Sequence, residues 1–346
     1  MTDLETLQFN LALVGASSLK GKEVKTLLQE RGFPVGRLSL LDTEEAHGQL
    51  TEFDEEPAII LPVTRDSFRD MRFAVFASPP SFTEPHWQMA ESAGCEIIDL
   101  SIFLDSHPGA LVRAPLVESL CSGQGSRNRD GLLTISAHPV AMALAGILGC
   151  LSRSFEVVRC AATVLESVSE RGKPGVEELS RQTINLLAFQ EIPKDVFGAQ
   201  VAFNFLSTFG SERDPVLQES QARIARHVRG LLGGRAPQPA IRLLQAPIFY
   251  GHAFSCFVEL AEPASPESIE DALQQKPFNL SRDPDFQPDV VLVAGSNEIL
   301  LGAVEPDASV PAGFWIWGTL DNVRLAALNA VQIAEEKVFA STGRAG

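Results

Sequence analysis

Phe9-Asn-Leu-Ala-Leu-Val-Gly-Ala-Ser-Ser-Leu-Lys-Gly21 is the stretch that decides the fold. An apolar strand, 9–14, runs into a glycine turn, and an amphipathic helix follows to about residue 31. The spacing Gly15-x-x-Ser18-x-x-Gly21 is a weakened form of the turn that sets a pyrophosphate on a helix N-terminus. Gly15 makes the tight turn and Gly21 permits close helix packing. At the middle position, where bare backbone normally approaches the phosphates, the chain has Ser18. An ordinary strand–helix turn uses the same residues, so the motif by itself leaves nucleotide binding open.

Outward from this turn, short apolar strands are expected at 38–42, 58–61, 73–76 and 96–99, with helical patterns between several of them, as at 85–93. That alternation predicts a parallel, doubly wound sheet. Asp42 ends the second strand, where an acid accepts hydrogen bonds from ribose hydroxyls and repels a 2′-phosphate. Glu44 and Glu45 follow it, so a bound cofactor would be NAD before NADP; a turn-forming aspartate is the competing reading. The prolines of Phe76-Ala-Ser-Pro-Pro-Ser81 have no N–H to offer a phosphate and read as a rigid turn.

Farther along, 123–130 reads as a polar surface loop and 139–151 as a helix. Then come a strand at 156–166, a loop at 169–175, helices at 176–189 and 218–232, and strands at 238–244 and 254–262. A closing helix, 322–339, is rich in Ala and Leu. A long sheet in this half needs cover, and a second copy of the chain is the simplest candidate.

With 346 residues, 45% of them hydrophobic, the chain can bury two cores. Its net charge of −16 disfavours nucleic acid and anionic membrane surfaces as partners. Five well-separated cysteines without a CxxC give no metal-ligand spacing, so no metal site is expected. An odd cysteine count in a large chain fits a reducing cytoplasm. No apolar leader opens the chain, and its longest nearly apolar stretch, 140–151, is too short to span a bilayer.

Two segments carry chemistry. Ile135-Ser-Ala-His-Pro-Val-Ala-Met142 leads into a helix whose dipole would acidify a thiol at its start. The chain places Val140, Ala141 and Met142 there. Cys150 follows nine residues after Ala141, about 13 Å along the same helix, and cannot substitute. His138 is within reach of this point and reads as a capping or solvated histidine. The second segment, Gln245-Ala-Pro-Ile-Phe-Tyr-Gly-His252, puts a histidine behind a glycine, a setting for a proton shuttle or for a hydrogen-bonded core residue.

Taken together, these residues resemble the aspartate-β-semialdehyde dehydrogenase family nearly end to end. Leu13-Val-Gly-Ala-Ser17, Glu30-Arg-Gly-Phe-Pro-Val35, Cys95-Glu-Ile-Ile-Asp99 and Gly175-Val-Glu-Glu-Leu179 carry the resemblance. So do Val201-Ala-Phe-Asn204, Gly251-His252, and Asp321-Asn-Val-Arg324 with Ala326-Ala-Leu-Asn-Ala-Val-Gln-Ile-Ala-Glu335. The resemblance implies an α/β protein: a Rossmann-type parallel-sheet domain at 1–137, an α+β catalytic and dimerisation domain at 138–320, and a C-terminal helix at 321–346 returning to the first domain. It implies reversible, NADP-linked reductive dephosphorylation of aspartyl phosphate through a cysteine thioester, with histidine as acid–base. It adds Ser17 and Asn322 to the cofactor residues Gly15, Ser18, Gly21 and Asp42, places His252 as the acid–base, and places Arg223 at the substrate phosphate.

The departures gather at the chemistry. Ala141 stands where the nucleophile should be, Gln245 replaces the substrate-binding arginine, and Glu166 replaces a glutamine. Pro79-Pro80 replaces the cofactor's Gly-Gly, and Glu45 an arginine for the 2′-phosphate. Arg242, three residues before Gln245, would face the opposite side of a strand. Because nucleophile and base act as a unit, losing the nucleophile removes on the order of 10⁶ in turnover. The chain therefore resembles members of the family without the nucleophilic cysteine. The expectation is a homodimeric pseudoenzyme with weakened NAD or NADP binding and a small dicarboxylate or nucleotide ligand. Two other readings stand beside it: an oxidoreductase that acts on a different substrate or without a thiol, and a partner of an active dehydrogenase subunit.

Overall fold

The computed structural model describes residues 8–121, 131–211 and 214–341, which group into two compact units. The first takes the described residues to Pro115, those from 131 to Ala137, and the closing helix from Ala326. The second takes 116–121 and His138–Leu325. The loop expected at 123–130 lies outside the described residues.

In the first unit the strand Phe9–Val14 lies third in a seven-stranded sheet, beside the central strand Phe73–Phe76. Its order is Leu61–Pro62, Val35–Asp42, Phe9–Val14, Phe73–Phe76, Glu96–Asp99, Leu133–Ser136, Leu111–Arg113, every pair parallel. The central strands are apolar on both faces, as a parallel sheet covered on both sides requires: Phe73–Phe76 and Leu133–Ser136 are buried throughout. Val14, Phe68, Phe76, Trp87 and Ile97 meet in one core. The strand expected at 58–61 is split. Glu56–Ile59 forms a hairpin with Leu50–Phe53, and only Leu61–Pro62 joins the large sheet. Asp54 and Glu55, at φ +54° and +62°, form the two-residue turn that peels this segment away. The helix residues from Ala326 are fastened within this unit by Glu335, which accepts both ends of a bidentate Arg31 pair at 2.7 Å, and by Arg113–Glu336 at 2.5 Å.

The second unit holds a mixed seven-stranded sheet in the order Ala240–Gln245, Val157–Glu166, His252–Leu260, Gly313–Leu320, Ile299–Leu301, Phe278–Leu280. Glu305–Pro306 is added on Gly313–Leu320. Val157–Glu166 is parallel to Ala240–Gln245 and antiparallel to His252–Leu260. The end of the first two strands and the start of the third therefore meet at one edge of the sheet. The helix Pro139–Leu151 is buried along all its residues. The expected loop at 169–175 is instead a short 3₁₀ turn, Val168–Arg171, running into the helix Gly172–Leu187. The breakers sit where a helix tolerates them: Pro174 falls in the first turn, whose N–H groups have no intrahelical acceptor. Among the described residues no helix is long and apolar enough to cross a membrane.

Candidate functional site

The sheet edge of the second unit assembles three of the predicted site residues. Glu166 and Gln245 are register partners at the ends of adjacent parallel strands, and His252 opens the strand on the other side of Glu166. All three are fully buried. Glu166 Oε1 accepts from Arg171 Nη2 at 2.6 Å, while its Oε2 has no hydrogen-bond partner. Gln245 Nε2 donates to the Glu166 carbonyl at 2.8 Å, so its amide N–H is spent on its neighbour's backbone. Arg242, by contrast, points outward from the same strand, as its alternation predicts.

His252 is fixed through Nδ1, which accepts from the Ser167 N–H at 3.1 Å. Its Nε2 lies 3.7 Å from Glu170 Oε2. Asn322 supports this arrangement: its Oδ1 accepts from Ser169 Oγ (3.1 Å) and the Gly251 N–H (3.1 Å), and its Nδ2 donates to Glu170 Oε2 at 3.4 Å. Predicted to touch a cofactor, Asn322 is buried with its side chain committed to the histidine cluster.

The helix Pro139–Leu151 delivers the fourth position. His138 is its N-cap, with Nδ1 accepting from the Val140 N–H at 3.2 Å. The capping half of the His138 reading holds, but the solvated half does not, because the residue is 2% exposed. Its ring is parallel to that of His252, with centroids 5.9 Å apart and planes 8° off, and its Nε2 lies 3.9 Å from Glu170 Oε1. Ala141 is buried in the first helical turn, where the dipole would favour a thiolate and only a methyl group stands. Cys150 is near the other end of that helix. Burial pushes its thiol up to about 11, and Gln275 Nε2 donates to its sulfur at 3.2 Å. All five cysteines are buried, and burial likewise pushes Cys95 up to about 11. Arg223 is buried on the helix Val216–Leu232.

In the first unit the nucleotide-type turn is largely self-satisfied. Gly15 has φ +85°, and a Cβ there would stand 2.5 Å from the Ser78 nitrogen, which is why the position must be glycine. Ser18 caps the helix Leu19–Glu30: its Oγ accepts from the Gly21 N–H at 2.9 Å and donates to the Ala77 carbonyl at 2.9 Å. Asp42 Oδ2 accepts from the Ser17 N–H at 2.7 Å and Oδ1 from the Thr43 N–H at 2.8 Å. Thus the Ser17 amide that would serve a phosphate is taken, although each Asp42 oxygen keeps a lone pair for a ribose hydroxyl. Glu45, three residues on, is exposed. A groove of about 510 Å³ lined by Trp87, Phe103 and His107 contains none of the predicted residues.

Sequence reading missed Glu170, Arg171, Ser167 and Ser169. Ser169, Glu170 and Arg171 lie in the segment taken for a loop, and Ser167 just before it; the available signal was the run Ser-Val-Ser-Glu-Arg, largely polar, directly after a strand.

Two family models match the chain: the semialdehyde dehydrogenase NAD binding domain over residues 10–120 and the semialdehyde dehydrogenase dimerisation domain over 148–325. A USG-1 protein homolog of Pseudomonas aeruginosa is 32% identical over 94% of this chain and 96% of its own. Aspartate-semialdehyde dehydrogenase 2 of Vibrio cholerae is 29% identical over 95% and 97%. A solved structure of a probable aspartate-semialdehyde dehydrogenase from Pseudomonas aeruginosa superposes with a TM-score of 0.84 at 31% identity, covering 96% of this chain and 99% of that one.

Proposed function

This chain belongs to the aspartate-semialdehyde dehydrogenase family, and from that premise we propose that it is a homodimeric pseudoenzyme without the phosphorylating dehydrogenase step. One observation carries the proposal: the buried first turn of the helix Pro139–Leu151 presents Ala141, and the thiol on that helix, Cys150, is protonated and held near the far end. A thioester has no sulfur on which to form. Gln245 supports the same reading, since a neutral amide bonded to the Glu166 carbonyl offers no cation to a substrate carboxylate. The acid–base position, His252, remains in place without a nucleophile to serve.

The dimerisation-domain match supports a homodimer, and the NAD-binding-domain match supports residual nicotinamide binding through Gly15, Ser17, Ser18, Gly21 and Asp42. Glu45 and the acidic Asp42 favour NAD over NADP. Arg223 is the candidate contact for an anionic ligand. A cytoplasmic location follows from the cysteine usage.

The test is a steady-state assay of the purified protein with aspartate semialdehyde, phosphate and either NAD or NADP. Turnover more than about 10⁴ below ordinary enzymes is expected; a rate within about 100-fold of them overturns the proposal. The retained turn at Gly15 favours one competitor, a thiol-independent oxidoreductase. That reading requires tight cofactor binding, and a thermal midpoint unmoved by millimolar NAD or NADP rejects it.

A further inference from the structure

We propose that His138, Glu166 and His252 form a binding site for one divalent transition-metal ion of the zinc class, with Glu170 as a further oxygen donor. The inference stands whether or not turnover has been lost. One donor atom from each of the three residues lies within 4.8 Å of the other two, and all three residues are buried. Two of the converging groups end in atoms with no hydrogen-bond partner, Glu166 Oε2 and His252 Nε2. Buried polar atoms are rarely left so, and a cation between them satisfies both.

The spacing selects an ion over a water. Glu170 lies 3.7 Å from His252 Nε2 and 3.9 Å from His138 Nε2, too far for a direct hydrogen bond. A water about 2.8 Å from both partners would have to bridge them at an angle of roughly 85°, well short of tetrahedral. An ion with bonds of about 2.1 Å spans the same gaps at roughly 130°, within reach of a distorted tetrahedron. A donor pair as far apart as 4.8 Å must close by about 1 Å to meet such bonds at that angle. Two imidazoles with carboxylate oxygens are a donor set for zinc, cobalt or ferrous iron rather than for magnesium or calcium.

The carboxylates already have the outer hydrogen bonds that metal ligands ordinarily have, whereas the two histidines must rearrange theirs. Arg171 holds the other Glu166 oxygen, and Asn322 Nδ2 donates to Glu170. As the hydrogen bonds stand, both histidine Nδ1 atoms accept backbone N–H groups, which keeps each ring hydrogen on Nε2. Loading the ion moves that hydrogen to Nδ1. On His252 it then turns to Ser167 Oγ, 3.2 Å away. On His138 the 3.2 Å contact from Val140 is released. The site therefore exchanges two backbone contacts for metal bonds.

Full-length, untagged protein is stripped with chelator, dialysed, and titrated with Zn²⁺ by calorimetry and with Co²⁺ by visible absorption. The expected result is one ion per chain, a raised thermal midpoint, and the intense d–d bands of tetrahedral Co²⁺ without thiolate charge-transfer bands. Glu166→Gln and His252→Gln each weaken binding by at least about 100-fold, whereas Cys160→Ser/Cys256→Ser, which removes a buried pair of thiols 3.6 Å apart on neighbouring strands, leaves it unchanged. Substoichiometric, readily dialysed metal overturns the proposal. So do thiolate bands in the wild type, which need no variant to fold, or full binding in folded Glu166→Gln and His252→Gln proteins. Dehydrogenase turnover is scored separately, so failure here is distinguishable from failure of the pseudoenzyme reading.

Discussion

Replacing Arg171 by methionine removes the ion-pair partner of the buried Glu166 carboxylate. The two groups meet at 2.6 Å, with Glu166 fully buried and the Arg171 side chain 15% exposed. Leaving a buried charge without its partner costs about 3–5 kcal/mol. The lost Arg171–Ser220 hydrogen bond, 3.1 Å long, adds roughly 1 kcal/mol. The guanidinium over the Phe209 ring, at 5.5 Å, adds about 0.5 kcal/mol more, partly offset by methionine packing in its place. Arg171→Met should therefore destabilise the second unit by about 4–6 kcal/mol. Adding Glu166→Gln removes the orphaned charge, so the double variant should recover about 3 kcal/mol of that loss. The assay is urea unfolding followed by tryptophan fluorescence in a Trp87→Phe background, where Trp315 and Trp317, both in the second unit, are the reporters. An Arg171→Met cost below about 1 kcal/mol, or a coupling in the cycle below about 0.5 kcal/mol, refutes the claim that Arg171 stabilises the buried Glu166 carboxylate.

Three further outcomes are expected. Gly15→Ala forces a Cβ into the Ser78 backbone 2.5 Å away at a positive φ, so it should lower stability by at least 2–3 kcal/mol, roughly the sum of strain and clash, with chemical denaturation as the check. In thermal-shift titrations NAD should raise the midpoint more than NADP, and Asp42→Ala should narrow that gap; a larger NADP response contradicts the role given to Asp42 and Glu45. Cys150 should resist iodoacetamide in the native protein and react once it is unfolded. Because its folded pKa is raised from 9.0 to about 11, the folded state keeps its proton longer than the unfolded state. Stability should thus fall as pH rises from about 9 to about 11, by up to about 2–3 kcal/mol, and Cys150→Ala should flatten that slope in denaturation curves.

What the sequence determined by itself was everything written in short periods. The strand 9–14, the glycine turn, the helix 139–151 and the closing helix from 322 could be read directly, because strand alternation and helical spacing are local properties of a few residues. The alanine at 141, on which the proposed loss of the nucleophile rests, was equally legible, since it is a single letter. The hairpin at 50–59 and the helix starting at Gly172 were misread, because turn conformation and the tolerance of a first helical turn for proline depend on backbone context. Only the tertiary structure decided the histidine cluster. His138, Glu166 and His252 stand 28 and 86 residues apart, and no spacing rule links a helix cap to the ends of two strands. They meet because Val157–Glu166 and His252–Leu260 run antiparallel, which sets the last residue of one beside the first of the other, under the cap of a buried helix. Burial then gives those polar atoms a meaning the letters lack: away from water, a carboxylate oxygen or a ring nitrogen must find its partner inside the protein.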